Sequence, residues 1–378
     1  MDRPVRPLTH ARDWTRHANR VLSAKVTDPL NADASERGGW PVLVPAPLEP
    51  AVPADVPTFS VVVAAHQVET TIVEALGSAL TQTRPALEVV VCDDGSTDRT
   101  SELLSGYGGR IRVVRQENRG EAAAKNAAVE AARGDYVVVL DADDVFLPRR
   151  LEALAWLAAQ RPDLDVLTTD AIVEADGVAV RQAYHSGWTF PVVDQRAAIL
   201  SRNFVFGLAA VRRDRWLAVG GFDEGISRTA DWDFWMRLIL SGSQVGLVDA
   251  PLARYRLSST TLSADRAQLV AARVHVLHRA AERDDLSAHE RTAALQALAR
   301  QRLDLSLRVA DQSLTRGGWA ARARNAEVLL HRGAPARRRL RAAVAVASPA
   351  LARWWTLRRS ADTVEIGSGL RVPRRAGR

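Results

Sequence analysis

The chain has 378 residues, 47% of them hydrophobic and 25% charged, which is enough for a large domain with attachments and too apolar for wholesale disorder. One cysteine, Cys92, excludes an internal disulfide framework, and a cytoplasmic setting is expected. The net charge of +7 is concentrated: from Arg332 to Arg378 twelve arginines stand against two acids, +10, so the other residues sum to about -3.

The N-terminus, MDRPVRPLTHARDWTRHANR, is charged throughout and has no apolar stretch, so no secretory signal is expected. No run of roughly 18 uncharged apolar residues occurs, so no spanning helix is expected either. Residues 1–57 read as an N-terminal extension whose WPVLVPAPLEPAVPADVP segment is a proline-rich linker. A main domain is expected over 58–262. It opens with FSVVVAAH, a β-branched run long enough for a buried strand, followed by the helical spacing of ETTIVEALGSALTQT. LEVVVCDDGSTD repeats the pattern, with Ser96, Thr97 or Asp98 capping the next helix. IRVVRQ is a third strand, GEAAAKNAAVEAARG an alanine-rich helix closed by Gly134, and YVVVLDADD a fourth strand.

Strands and helices alternating at this spacing predict an α/β fold with a mostly parallel sheet flanked by helices. Ligands of such sheets bind beyond the carboxyl ends of the strands, here AAHQVE, CDDGSTD and LDADD. From Leu151 to Leu257 the alternation is less regular. A helical extension follows over 263–333, with helices expected at about 265–314 and 318–333, and then a basic, tryptophan-containing tail at 334–378.

Four stretches carry chemistry. DADD crowds Asp141, Asp143 and Asp144 at a strand end. A hard divalent cation held by carboxylates and substrate phosphates would neutralise them, and a helix N-cap for the following LPRRLEAL is an equal reading. In CDDGSTD, Asp94 is placed to accept hydrogen bonds from a base or ribose, or to serve ordinary turn and capping chemistry. Lys125 is one of only two lysines in a chain that otherwise uses arginine, and it is a candidate phosphate contact beside Asn126. In SRTADWDFWMRL, Asp231 and Asp233 bracket Trp232, with Trp235 one turn on. A carboxylate beside aromatic surface has a raised pKa and can act as a general base, although an amphipathic helix would bury the same tryptophans.

Taken in order, SVVVAAH, VVVCDDGSTD, ENRGEAAAKNAAVEAARGDYVVVLDADD and GGFDEGISRTADWDFWMRL resemble the family 2 glycosyltransferases of the GT-A fold, over about residues 59 to 257. The resemblance implies an inverting transfer of a sugar from a nucleotide-diphosphate donor (UDP-, GDP- or dTDP-sugar) to an acceptor hydroxyl. The acceptor would be a glycan or lipid-linked molecule in the making of a cell-surface polysaccharide, glycolipid or glycoconjugate. It matches Asp94 to the family's base- or ribose-binding aspartate, with Ala64, His66 and Glu69 in the loop beside it. Asp141 and Asp143 match the DxD pair, Asp143 first for Mg2+ or Mn2+ and Asp141 or Asp144 on the ribose side. Lys125 matches a basic position, and Asp231 matches the catalytic base. Three departures stand out: Ala230 where the family often has Glu, His66 and Gln67 where Tyr and Asn are common, and Ser258 where a histidine is often found. Arg256 then becomes the candidate for the diphosphate.

ARRRLRAAVAVASPALARWWTLRRS flanks an apolar stretch with arginines and ends it with Trp354 and Trp355. That arrangement suits a helix lying on an anionic membrane surface, at the inner face of the plasma membrane, and equally a helix packed on the protein with a solvated basic face. No recognised nucleic-acid-binding module is present, so no nucleic-acid partner is expected. The competing functional reading is a sugar-nucleotide-binding or scaffold protein that has lost turnover, hinted at by Ala230 and Ser258.

Overall fold

A computed structural model describes residues 56–175, 177–185, 188–226, 228–257, 266–316, 318–331, 333–352, 363–366 and 370–373. Nearly all of the N-terminal extension, Ser258, Trp354 and Trp355 lie outside the described residues. The chain divides into two compact units, Met1–Arg256 and Leu257–Arg378.

In the first unit, β1 (Phe59–Ala65), β2 (Glu88–Asp94), β3 (Arg112–Gln116) and β4 (Tyr136–Val139) form a parallel set in the order β3-β2-β1-β4. β1 and β4 are buried along almost their whole length, which is why their sequences are continuous valine runs rather than alternating ones. The register pairs Ala65 with Asp93, and the Leu140 amide donates to the Val62 carbonyl at 3.0 Å. The polar ends of β1, β2 and β4 therefore lie along one edge. Helix α1 (Ile72–Leu80) buries Ile72, Ala75, Leu76 and Ala79, a stripe at helical spacing. It is followed by α2 (Thr100–Ser105) and α3 (Glu121–Ala131).

The parallel half stops where the regular alternation in the sequence stops. β5 (Val145–Phe146), β6 (Val166–Ala175), β7 (Val178–Gln182), β8 (Ala210–Arg212) and β9 (Val245–Leu257) extend the sheet as β4-β8-β6-β9-β5, with β7 on β6. The β4/β8, β6/β8, β6/β7 and β5/β9 pairings are antiparallel, so the sheet is mixed. Helices α4 (Arg150–Gln160), α5 (Gln195–Ser201), α6 (Arg213–Ala218) and α7 (Ala230–Leu240) complete the unit. Two residues of β5 decide the site: Val145 pairs with Arg254 and Phe146 with Ala253, so the chain leaving the DADD turn lies against the end of β9. Helix α4 starts only at Arg150 and has no side-chain cap. The three acids of DADD are thus not its N-cap.

Gly134 does not end a helix as expected, because α3 stops at Ala131 and Ala132 is already extended. A Cβ on Gly134 would sit 2.6 Å from the Ser60 amide nitrogen and 3.0 Å from the Phe59 carbonyl carbon. Glycine is required there by close approach to β1.

The second unit contains α8 (Arg266–Ala281), α9 (Ala288–Arg316), α10 (Gly318–Leu330) and α11 (Ala336–Ala347), then a two-stranded hairpin, β10 (Thr363–Ile366) with β11 (Leu370–Pro373). Where the sequence predicts one helix over 265–314, two form. The break is a capping box: the Glu290 amide donates to Ser287 Oγ at 3.2 Å and the Ser287 amide to Glu290 Oε2 at 2.8 Å. Small residues let these helices pack closely, as in the cluster of Ala310, Val328, Ala334 and Ala342.

Two glycines give opposite expectations. Gly77 lies inside α1 and a Cβ there meets nothing within 4 Å, so Gly77→Ala should stabilise the protein by about 0.5–1 kcal/mol. Gly134→Ala forces Cβ against the backbone of β1 and should cost about 1–3 kcal/mol. Denaturant unfolding of the two variants measures both signs.

Candidate active site

The acids at the end of β4 are met by a buried cation. Lys125 lies on the inner face of α3, among alanines small enough to let the helix approach the sheet. Its Nζ is 2.7 Å from Asp141 Oδ1 and 2.5 Å from Glu121 Oε1. Burial works against its charge, but Asp141 and Glu121 outweigh that and hold the ammonium above the ordinary lysine range.

Asp144 is fully buried. Its Oδ1 accepts the Arg256 amide at 2.8 Å, while Oδ2 has no partner. Burial first, then the charges of Asp141 and Asp143, raise its carboxyl well above the usual carboxylate range. Asp143 is exposed at the surface of the turn, and loss of solvation together with the charge of Asp141 raises it too. The Arg256 guanidinium donates to the Asp143 carbonyl at 3.3 Å and pairs with Glu74 Oε2 at 2.6 Å, and Arg254 holds Glu74 Oε1 at 2.5 Å. Hydrogen bonding from Arg256 lowers the Glu74 carboxyl, against the effect of burial.

Alternation along β9 puts Tyr255 on the opposite side from these arginines. The phenol feels the charges of Asp144, Asp141, Asp231 and Asp143, and burial above all raises its pKa, so at neutral pH it is a neutral hydroxyl. The sequence reading missed Tyr255; the period-two rule applied to LARYRLS would have separated it from Arg254 and Arg256.

Helix α7 buries Trp232, Phe234, Trp235, Met236, Leu238, Ile239 and Leu240 and so is nearly immersed. Its two acids have different fates. Asp233 pairs with Arg237 at 2.7 Å. Asp231 stays half-buried and accepts a hydrogen bond from Asn203 Nδ2 at 2.9 Å. Burial raises the Asp231 carboxyl; the Trp232 amide and Lys125 pull it down, while Glu121 and Asp141 push it up. That mutual influence places Asp231 in one electrostatic neighbourhood with Lys125, Glu121 and Asp141. Asn203 belongs to no motif, and Glu121, although inside ENRGEAAAKNAAVEAARGDYVVVLDADD, carries no signal there that marks it as a partner of Lys125. Thr229, just before α7, has a φ of 62°, which a β-branched residue rarely adopts.

Asp94 lies apart from this group and both its oxygens are occupied. Oδ1 accepts from Gln116 Nε2 at 2.7 Å and from the Arg119 amide at 2.8 Å, and Oδ2 accepts the Gly120 amide at 2.8 Å. It therefore holds the turn that leads into α3. His66 Nδ1 lies 2.9 Å from the Asp94 carbonyl, and its Nε2 lies 3.0 Å from Asn118 Nδ2. Glu69 Oε2 accepts the Arg99 amide at 3.0 Å, and Gln67 Oε1 accepts the Thr97 and Asp98 amides. The turn before α2 is thus capped mainly from across the loop, with Asp98 Oδ1 accepting the Thr100 amide. Ala64 is the one half-exposed residue of β1.

A divalent cation fits the donor set at the end of β4. The donors are carboxylate oxygens, Asp143 and Asp144 are both held above their ordinary range, and one buried oxygen of Asp144 lacks a partner. Among the described residues no three His, Cys, Asp or Glu side chains are grouped to hold a metal by themselves, so the ion's remaining ligands would come from phosphate and water.

Known proteins match this architecture. The model of "Glycosyl transferase family 2" matches residues 60–217. Chondroitin synthase of Escherichia coli is 33% identical over 208 residues, 53% of this chain and 28% of its own length; the chain spans under a third of that relative. Among solved structures, Staphylococcus aureus TarS 1–349 in complex with UDP-GlcNAc aligns with a TM-score of 0.56 at 19% identity, covering 80% of this chain and 91% of that one. The mannosyltransferase PcManGT from Pyrobaculum calidifontis, in complex with GDP-Man and Mn2+, aligns with a TM-score of 0.51 at 19% identity, covering 92% of this chain and 91% of that one. The fold is GT-A, α/β with a mixed sheet and a helical C-terminal region. The family match takes in Asp94, Lys125, Asp141, Asp143 and Asp144 and stops short of Asp231, Tyr255 and Arg256. Over residues 60–217 this chain is similar to glycosyl transferase family 2.

Proposed function

We propose that the protein transfers a sugar from a nucleotide-diphosphate donor to an acceptor hydroxyl with inversion, with Asp231 as the general base. The observation that carries this reading is the separation of carboxylates by element. Asp141, Asp143 and Asp144 sit together at a strand end, whereas Asp231 comes from α7 and is oriented by Asn203 at 2.9 Å. In-line displacement needs a base and a leaving group on opposite sides of the anomeric carbon. The raised pKa of Asp231 suits a base that must take a proton.

Asp143, with Asp144 behind it, would hold Mg2+ or Mn2+, and the ion would supply positive charge for the departing diphosphate. The presence of Mn2+ beside GDP-Man in PcManGT supports this. Lys125 keeps Asp141 in place and adds charge of the same sign. Arg256 is the chain's own contact for the diphosphate and is held ready by Glu74. Asp94 presents the turn before α3 on the nucleotide side, with His66 and Ala64 beside it. A donor built on UDP, GDP or dTDP and a glycan or lipid-linked acceptor in polysaccharide or glycoconjugate synthesis complete the proposal. The relative named chondroitin synthase supports the polymer end of it.

The second unit suits the surface of an anionic membrane, and the inner leaflet of the plasma membrane is the placement proposed. Among the described residues no helix is long and apolar enough to cross a membrane. On α10, Trp319 is 81% and Leu330 79% exposed, eleven residues apart and so on one stripe. Exposed arginines at 322, 337 and 339 accompany them, and such side chains meet anionic headgroups while indole and leucine enter the interface.

Asp231→Asn should lower transfer by about 10²- to 10⁴-fold and leave nucleotide binding intact, as measured by product formation and by thermal shift with nucleotide diphosphates and Mn2+. A native carboxyl with a raised pKa binds protons more tightly than the unfolded one, so it costs stability as pH rises. Asp231→Asn should therefore be at least as stable as wild type at neutral pH. For the same reason wild-type transfer should fall on acidification at a higher pH than an ordinary aspartate would dictate. In co-sedimentation, vesicles of phosphatidylglycerol should bind the full chain and vesicles of phosphatidylcholine should not. Salt and Trp319→Ala with Leu330→Ala should each weaken the binding.

A further inference from the structure

The base is tied to a wall of aromatic rings that the proposed chemistry has not used. Asn203 gives its side-chain amide to Asp231, and its own backbone carbonyl accepts the Trp188 indole N–H at 3.0 Å. One residue thus joins Asp231 to Trp188. Trp188 stacks on Tyr184 with ring centroids 4.9 Å apart and planes inclined by 12°. Tyr184 is anchored in turn, because its hydroxyl donates to the Phe204 carbonyl at 2.9 Å. Phe190 meets Tyr184 edge-on at 5.8 Å and Phe204 at 5.6 Å, and Phe206 meets Tyr255 at 5.3 Å. The rings thus form one group of Trp188, Tyr184, Phe190 and Phe204 and a separate pair of Phe206 with Tyr255.

Position in this wall distinguishes the rings. Tyr184, Phe204 and Phe206 are buried, and packing explains them. Trp188 and Phe190 are only half-buried. One face of the indole is covered by Tyr184, and Trp188 as a whole stays half-buried. His185 and Trp188 exchange hydrogen bonds of 3.2 and 2.8 Å, and the Arg202 guanidinium donates to the Thr189 carbonyl at 2.7 Å and to its hydroxyl at 3.3 Å. A large flat ring that stays half-exposed, one hydrogen-bonded residue away from a carboxylate, is costly to leave in water.

We infer that Trp188, backed by Tyr184 and flanked by Phe190, is the platform of an acceptor subsite for a pyranose ring, placed so that a ring hydroxyl reaches Asp231. The axial C–H bonds of a pyranose make an apolar face that lies on an indole, while its equatorial hydroxyls point sideways to polar groups. Asn203 then has two tasks: it orients the base through its side chain and fixes the platform through its main chain. The inference rests on the reading of Asp231 as the base.

The test is a ligand-observed NMR titration of the full chain, with UDP and Mn2+ present, using the methyl glycosides of glucose, galactose, mannose and N-acetylglucosamine. Wild type should bind at least one of them saturably. Trp188→Leu should weaken that binding at least tenfold, and Trp188→Phe, which keeps a ring but loses the indole N–H, should stay within threefold of wild type. Both variants should keep a cooperative melting transition and the wild-type nucleotide affinity. Equal losses in Trp188→Leu and Trp188→Phe, unchanged binding in Trp188→Leu, or no binding of any of the four glycosides by wild type would overturn the inference. Asp231→Asn tests the base separately. Should that variant transfer sugar at the wild-type rate, the assignment of the base falls while the titration still decides the platform.

Discussion

The site depends on one buried positive charge. Lys125 reaches between Glu121 on its own helix and Asp141 at the end of β4, while Asp144 feels Arg256 and the buried Arg150 instead. A cation that has lost its water can stay charged only if its partners are close and fixed. This constraint propagates outward. The helix carrying Lys125 is alanine-rich because it must pack close, and the turn that starts it is set by the three hydrogen bonds to Asp94. Asp94 and Asp141 are thus connected through a helix rather than by contact, and the turn before α3 and the acid cluster are kept in one geometry.

The neutralisation is partial by design. Lys125 pairs with Asp141, while Asp143 and Asp144 remain above their ordinary range and one buried oxygen of Asp144 has no partner. A turn that was stable in its own right would have paired these groups internally. The excess negative charge is what a cation-borne diphosphate would meet. Glu74 shows the complementary device, a surface carboxylate that occupies two arginines and keeps Arg254 and Arg256 extended along the same edge.

The parallel half of the sheet was legible because buried parallel strands must be continuously apolar, and FSVVVAA, EVVVC and YVVV could hardly be anything else. The acids were legible because each follows such a run. The antiparallel half was not: β8 is three residues long and β5 two, too short for any period to show. Their partners are set by tertiary packing alone. Lys125 stood out by composition, and its actual partners follow from helix packing that a linear pattern does not contain. Glu69 and Gln67, which look polar and available in the sequence, are spent on loop amides. Asn203 and Tyr255 were invisible for the opposite reason, being ordinary residues in unremarkable segments that the fold delivers to Asp231 and the DADD turn. The capping box at Ser287 and Glu290 was written in the sequence and overlooked, because a long amphipathic pattern runs across it.

The pairing of β5 with β9 has a kinetic consequence. The hydrogen bond from the Arg256 amide to Asp144 spans 112 residues, and Trp188, Asn203 and Asp231 all lie between those two points in the chain. A nascent chain can assemble β1 to β4 from local strand-helix units, but the acid turn has no strand to lie against until the end of the first unit has been made. Closing so long a loop is slow compared with forming local contacts. The carboxylates of DADD therefore spend the early life of the chain exposed and mutually repelling, and the site is the last part of its unit to become a site.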